Sequence, residues 1–331
     1  MSEESRLRIA IDAAGTDGGP ELIVAAVDQL LASHSDLRVL ILAESDSTSR
    51  LAERLSRPAV EIIPCEQALP PDMNAAGAIR RGRGSTMWQA LELAQQGEAD
   101  AVVSGGSTGA LMALSRHLLG TLPGVERPAL MAAIPSLNRP VWMLDLGANL
   151  QVDARRLLEF AQLGQVACSV IEGHAPKIGL LNVGTEPGKG PDVIREAARL
   201  IDEDSRLDYA GFIEADQVFA GVVDLVVCDG FAGNVLLKSA EGSVKLLFGR
   251  MRQEFQGSVC GLLAKKRLRR LHDSLDPARH NGAPMLGVRG TVIKSHGGTC
   301  SRGFARALEL AAIQVRKDLV SCLEKQLLAG Y

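Results

Sequence analysis

Val223-Asp-Leu-Val-Val-Cys-Asp-Gly-Phe-Ala-Gly-Asn234 sets the fold class: an apolar run of strand length ends in an acid and two glycines, and a helical stretch follows. Four other runs end the same way, at Asp12-Ala-Ala-Gly15, Ser104-Gly-Gly-Ser-Thr-Gly109, Asp145-Leu-Gly-Ala-Asn149 and Asn182-Val-Gly-Thr185. In a parallel α/β sheet such segments emerge at the carboxyl edge of the strands, where ligands bind. Glycine lets backbone N–H groups approach an anion, and the next helix N-terminus adds favourable partial charge. One such loop is a connector. Five at one edge predict a phosphate-sized site.

Outward from these loops, strand-like runs lie near 6–12, 37–43, 60–65, 99–104, 128–134, 141–146, 177–183, 207–213 and 223–228. Helical patterns separate most of them, at 20–34, 47–56, 86–96, 109–119, 153–172 and 191–202. The alternation predicts βαβ units. Only Pro135–Pro140 separates 128–134 from 141–146, too short for a parallel crossover, so that pair reads as a hairpin and the sheet as mixed. The expected fold is a three-layer α/β/α sandwich on a mostly parallel mixed sheet, one domain over 1–331. A helical hairpin over 234–280 projects from it, and a long amphipathic helix over about 301–328 closes the chain. Residues 66–85, with Pro70-Pro71 and three arginines, read as a mobile loop.

Composition narrows the class. The apolar share of 46% is carried by aliphatics, with 3% aromatics, which suits buried parallel strands. A net charge of −3 supplies no field for nucleic acid, and the few aromatics form no base-stacking platform. The six cysteines include no CxxC pair, so no metal-ligand spacing and no disulfide framework is expected. The acidic start Met-Ser-Glu-Glu-Ser is no signal peptide, and no apolar run reaches spanning length. The expectation is a cytoplasmic protein.

The loops lack a Gly-Lys-Ser/Thr P-loop, a GxGxxG at the first strand, a Gly-x-Ser-x-Gly elbow and a carboxylate cluster for a metal. A phosphate reaction without a covalent enzyme nucleophile or cofactor fits these absences. Lys189, in Thr-Glu-Pro-Gly-Lys-Gly190, follows a strand end. It is either a solvated lysine or a point charge on phosphate. His296 stands before Gly297-Gly298, two residues after Lys294, in a setting unlike that of a packing histidine.

Taken in order, these motifs resemble the PlsX family, the acyl-acyl-carrier-protein:phosphate acyltransferases of bacterial phospholipid synthesis. The residues that carry the resemblance are Asp12-Ala-Ala-Gly-Thr-Asp17, Ser104–Ala110, Leu122-Pro-Gly-Val-Glu-Arg-Pro-Ala129, Leu144–Asn149 and Gly179-Leu-Leu-Asn-Val-Gly184. Cys228–Val235 and Gly282-Ala-Pro-Met-Leu-Gly287 with His296-Gly297 complete the series. The first loop departs from the usual Asp-Ala-Met-Gly-Gly-Asp-His, with Ala14, Thr16 and Gly18 in the variable places. The second has Gly105, Gly106 and Ser107 where Ala-Gly-Asn is usual. The resemblance implies a fold similar to phosphotransacetylase and the isocitrate-type dehydrogenases, a homodimer, and acyl transfer from acyl carrier protein to inorganic phosphate. It also implies loose attachment to the inner face of the membrane. Two rival readings stay open: a short-chain relative, and a weakened membrane-associated scaffold that binds the carrier.

For that chemistry, His296, Lys189, Asn234 and Lys294 are the expected catalytic residues. Gly105, Gly106, Ser107, Thr108, Gly109, Asp145, Asn149, Asn182, Asp229, Gly230 and Gly233 are expected to line the substrate site. Asp145 and Asp229 suit bracing, since a carboxylate beside a dianion repels it. Arg80, Arg81 and Arg83 are the expected landing patch for acidic acyl carrier protein, a solvated patch being the alternative. In 257–275, Leu262 and Leu263 interleave with Lys265, Lys266, Arg267, Arg269 and Arg270, the pattern of an interfacial helix on anionic lipid. A dimer-packing hairpin with a solvated basic face is the rival.

Overall fold

The computed structural model describes residues 6–256 and 259–329, without the side chains of 259–263 and 329. Gly257 and Ser258, where the sequence predicts the hairpin to turn, lie outside the described residues. The strands are β1 (Leu7–Asp12), β2 (Leu37–Glu44), β3 (Val60–Cys65), β4 (Ala101–Ser104), β5 (Ala129–Ile134), β6 (Val141–Leu144), β7 (Lys177–Leu181), β8 (Asp208–Ile213), β9 (Leu225–Val227), β10 (Ala283–Leu286) and β11 (Thr291–Lys294). They form one sheet in the order β3-β2-β1-β4-β11-β10-β5-β6-β9-β7-β8.

Within β3-β2-β1-β4-β11 every pairing is parallel, and likewise within β6-β9-β7-β8. Between these blocks, β11–β10, β10–β5 and β5–β6 are antiparallel. Three reversals leave the blocks running in opposite directions. The expectation that all five loops leave one edge is therefore corrected: they leave in two groups, in opposite directions. The register still brings the groups together. Lys294 is level with Ala283, Met285 with Leu130, and Met131 with Leu144. Followed across, the last residues of β11 and β6 lie one residue step apart in height, about 3.4 Å, and three strand spacings apart, about 14 Å. The carboxyl ends of both blocks thus meet at mid-sheet.

Helices cover both faces. One face carries α4 (Thr86–Gln95), α5 (Thr108–Leu118), α8 (Ala215–Ala220) and the start of α9 (Gly230–Phe255), whose Met87, Leu111, Val218 and Leu236 share a core with residues of both blocks. The other carries α1 (Gly19–Ser33) and α11 (Ser301–Arg316) on the first block, and α6 (Ala154–Glu172), α7 (Asp192–Glu203) and α12 (Leu319–Ala329) on the second. A mixed three-layer α/β/α sandwich results, as the sequence predicts.

Three local expectations change. Residues 66–85 contain α3 (Ala75–Arg81), started by Asn74, whose side chain accepts the Gly77 N–H at 2.8 Å. The closing helix breaks at Asp318, which takes φ 49° and so separates α11 from α12. β10 and β11 are strands where the sequence predicts none; each holds four residues, too few to show a period.

Candidate active site

The first group of loops follows β1, β4 and β11. Ser295 N–H donates to Ser104 O at 2.8 Å, and Asp17 N–H to Gly297 O at 3.0 Å. Gly15, at φ +81°, approaches so closely that a Cβ there would sit 2.5 Å from Gly106 Cα. The glycines of this group serve backbone-on-backbone packing. Ser104 Oγ donates to Asp12 Oδ2 at 2.6 Å and accepts the Gly106 N–H at 3.1 Å. Gly106 is therefore not a free anion donor. The next N–H groups belong to Thr108 and Gly109 at the start of α5, where Ser107 occupies the N-cap without a side-chain capping bond. An uncapped helix start with adjacent glycine is suited to an anion.

Lys294 Nζ donates to Gly105 O at 3.1 Å and to Ser295 O, binding two loops with two of its three protons. Burial pulls its pKa down to about 8 despite the nearby Asp12. His296 stands exposed beside it. Its N–H is held by Asn281 Oδ1 at 3.0 Å, and its Nδ1 accepts the Gly298 N–H at 3.1 Å. Acceptance at Nδ1 places the neutral ring's proton on Nε2, which is left to donate outward. Partial burial, then Lys238, hold the imidazole below its ordinary pKa.

The second group follows β6, β9 and β7. Asp145 is fully buried, and the peptide joining it to Leu144 is cis. It accepts from the N–H groups of Leu130, Leu146 and Asn149 and from the Asn149 side chain. Asn149, 2% exposed, also donates to Pro128 O at 2.9 Å. Asp229 caps α9 by accepting the Ala232 N–H at 2.7 Å. Gly230 N–H donates to Asn149 O and Gly233 N–H to Asp229 O, so neither is free for an anion. Their lack of a side chain has another use, since a Cβ on Gly233 would strike Asp145 O. Asn182 donates to Lys189 O at 3.1 Å and so latches the loop that holds Lys189 exposed. Asn234 is exposed beside Gly147, one turn into α9.

Helix α9 links the groups. It starts at Asp229 in the second, and its Lys238 and Glu241 act electrostatically on His296, Lys238 also on Lys294. Neither Lys238 nor Asp12, Ser104, Thr86 and Asn281 was named as a site residue from sequence. For Asp12 the signal was present, an acid closing a wholly apolar strand; for Lys238, two turns into a long helix, there was none. Arg80 and Arg81 end α3 and Arg83 follows, all exposed. Lys265, Lys266, Arg267, Arg269 and Arg270 are exposed along α10 (Val259–Ser274), which packs on α9; the side chains of Leu262 and Leu263 lie outside the described residues. No described helix is long and apolar enough to cross a membrane, and no cluster of metal-ligating side chains occurs among the described residues. A cavity of about 610 Å³ lies elsewhere, between α6, α7 and α12.

This mixed sandwich is similar in fold to solved phosphotransacetylases. That of Streptococcus pyogenes superposes with a TM-score of 0.63 at 20% identity, over 94% of both chains. The chain belongs to the PlsX family: the model described as "Fatty acid synthesis protein" matches residues 7–321. The phosphate acyltransferase of Alcanivorax borkumensis is 41% identical over 327 residues, 96% of this chain and 97% of its own. That of Pseudomonas putida is 42% identical over 326 residues, 96% and 97% respectively.

Proposed function

We propose that the chain transfers a long-chain fatty acyl group from acyl carrier protein to inorganic phosphate, releasing acyl phosphate for phospholipid synthesis. The observation that carries this is the first loop group: an uncapped helix start, a half-buried lysine and an outward-donating histidine converge within a family of phosphate acyltransferases. Phosphate with its second pKa near ~6 is largely dianionic at neutral pH and needs no general base. Its oxygen attacks the thioester carbonyl, the C–S bond breaks, and the electron pair leaves on sulfur as a thiolate whose pKa of about 8.5 makes it a good leaving group. The enzyme's work is to hold the dianion against hydration and to meet the developing oxyanion. One such donor contributes roughly 3 kcal/mol.

In this reading the N–H groups of Thr108 and Gly109, the Ser107 hydroxyl and the free Lys294 proton bind phosphate. His296 Nε2–H donates to the carbonyl oxygen. Lys189 and Asn234 approach from the second group, while Asp145, Asn149, Asn182, Asp229, Gly230 and Gly233 hold its loops in shape. Arg80, Arg81 and Arg83 receive the acidic carrier. The whole of 1–331 acts as one catalytic unit, and the 234–280 hairpin serves assembly and membrane contact. Phe231, Val235, Leu246 and Leu247 are exposed along α9, and Gly242 and Gly249 have open space where a Cβ would stand. A second copy covers these in a homodimer. The basic face of α10 meets anionic lipid, so the protein sits peripherally at the inner face of the membrane.

The test is acyl phosphate formation from palmitoyl- and acetyl-loaded carrier, with and without phosphate. Phosphate-dependent turnover of the palmitoyl donor is expected. Preference for acetyl would make it a short-chain enzyme, and carrier binding without turnover would make it a scaffold.

A further inference from the structure

Asp12 is a carboxyl group with an incomplete set of partners. It is 1% exposed at the end of β1, beneath the crossing of Gly15 and Gly106. Oδ2 accepts the Ser104 hydroxyl, while Oδ1 is buried with no hydrogen-bond partner. The Thr86 hydroxyl, on α4, faces the same carboxyl and is itself buried without a partner. A buried ionised carboxylate with an orphaned oxygen is costly. Thr86 and the Ala14 N–H favour the ionised form, but burial outweighs them, and a neutral carboxyl in the same place escapes that cost and can donate its proton to the Thr86 oxygen.

Around it stand Ser104 on β4, Thr86 on α4, the Ala14 N–H in the first loop, Lys294 on β11 and Cys65 at the end of β3. Lys294 is the one positive charge in this set, and the two form no ion pair within 4.0 Å. The Cys65 thiol is pushed up to about 11, by burial and then by Asp12, and stays neutral. Burial raises Asp12 to about 6, so with the loops empty at neutral pH it is mostly ionised opposite Lys294. A dianion on the loops above adds two negative charges to this low-dielectric space, and a single lysine cannot balance three.

We propose that Asp12 is a positioning residue that takes up a proton from solvent when a doubly charged anion occupies the loops above it. The neutral carboxyl then bonds Thr86 and leaves the Lys294 charge wholly to the anion. Ser104 stays held, and with it the Gly106 N–H and the course of the loop into α5. The proposal rests on reading these loops as the phosphate site.

Sulfate is the probe, because it remains a dianion across the pH range and removes phosphate's own titration. Calorimetry of sulfate on the full chain, in buffers of different ionisation enthalpy, reads the protons taken up. Wild type is expected to take up protons near pH 7 and to gain affinity as pH falls, by up to about tenfold per pH unit. Asp12→Asn, the neutral isostere, is expected to bind sulfate without uptake and with a flat pH profile below about pH 7, where Lys294 stays charged. The ¹³C-carboxyl shift of Asp12 in the unaltered protein gives a second reading, with a titration midpoint that rises on adding sulfate. Binding without uptake in wild type, uptake that persists in Asp12→Asn, or uptake lost in His296→Asn instead would each overturn the assignment to Asp12. Absence of sulfate binding in all variants would overturn the phosphate-site reading itself.

Discussion

Asp145 Oδ2 accepts two hydrogen bonds from one residue, Asn149: its backbone N–H at 2.6 Å and its side-chain amide at 3.0 Å. Oδ1 meanwhile takes the N–H of Leu130 at 2.9 Å and of Leu146 at 2.7 Å. One carboxylate thereby fixes the loop after β6 to the first residues of β5, which is why this conspicuous acid braces the site instead of lining it.

Removing that hub strands several buried N–H groups, each worth about 1–3 kcal/mol unless water reaches it. Asp145→Ala is expected to lower stability by about 4 kcal/mol, read as a lower urea midpoint at unchanged slope. A midpoint within error of wild type would show that the bonds are replaced by solvent.

Lys294 is expected to set an alkaline limit on phosphate use. In the proposed site its charged form is the anion partner, present below a pKa of about 8 and lost above it. The kcat/KM for phosphate should fall as pH rises through about 8, because this parameter reports groups of the free enzyme. Lys294→Met should lower it by about 10²–10³ at pH 7 and abolish the alkaline limb. Retention of that limb in Lys294→Met would assign it to another group.

Asp12 also bears on stability. Its folded pKa of about 6 lies above the ordinary 3.8, so the folded state binds the proton more tightly. Stability is then undiminished below about pH 4, falls as pH rises to about 6, and stays lower beyond, by up to about 3 kcal/mol. Asp12→Asn removes this term, so its stability relative to wild type should be higher at pH 8 than at pH 4. Denaturant melts at the two pH values check it, and an equal difference at both would refute it.

Arg80, Arg81 and Arg83 form no ion pair within 4.0 Å among the described residues and should steer an acidic carrier. Replacing all three with alanine is expected to raise KM for acyl carrier protein at low salt about tenfold, with kcat for phosphate saturation nearly unchanged. Equal KM values for variant and wild type at low salt would leave the patch merely solvated.

On α10, changing Lys265, Lys266, Arg267, Arg269 and Arg270 to glutamine should abolish flotation with anionic vesicles. Each contributes up to about 1 kcal/mol near such a surface. Flotation of wild type should also fall with added salt, and neutral vesicles should not carry it. Undiminished flotation of the variant would remove the basic face from membrane contact.

Much of the sandwich was legible because long apolar runs and helical stretches such as 153–172 announce themselves by period and length. The antiparallel β5–β6 pair was legible from the brevity of Pro135–Pro140. The opposed direction of the blocks was not, because it depends on β10 and β11, four residues each, entering between β4 and β5 from far along the chain. For the same reason the loops were expected at one edge. Residue type pointed to Lys294 and His296 as a pair, and they do share a loop. It could not tell that the N–H groups of Gly106, Gly230 and Gly233 are consumed locally, since that depends on partners such as Ser104 and Asn149. Lys238 was illegible because its relevance comes only from the course of α9 past the first loop group.

The late entry of β10 and β11 has a consequence for biosynthesis. Until residues 283–294 leave the ribosome, β4 and β5 each present an unpaired edge, and the two blocks have no shared backbone bonds. Bare strand edges are templates for unwanted pairing, and a chain growing at about 5–20 residues per second exposes them for many seconds. The nascent protein is thus two half-sheets awaiting a clasp, most vulnerable to aggregation just before residues 283–294 are made. Nonsense truncations before Gly282, which remove β10 and β11, should yield insoluble protein even though most loops of the proposed site have already been made.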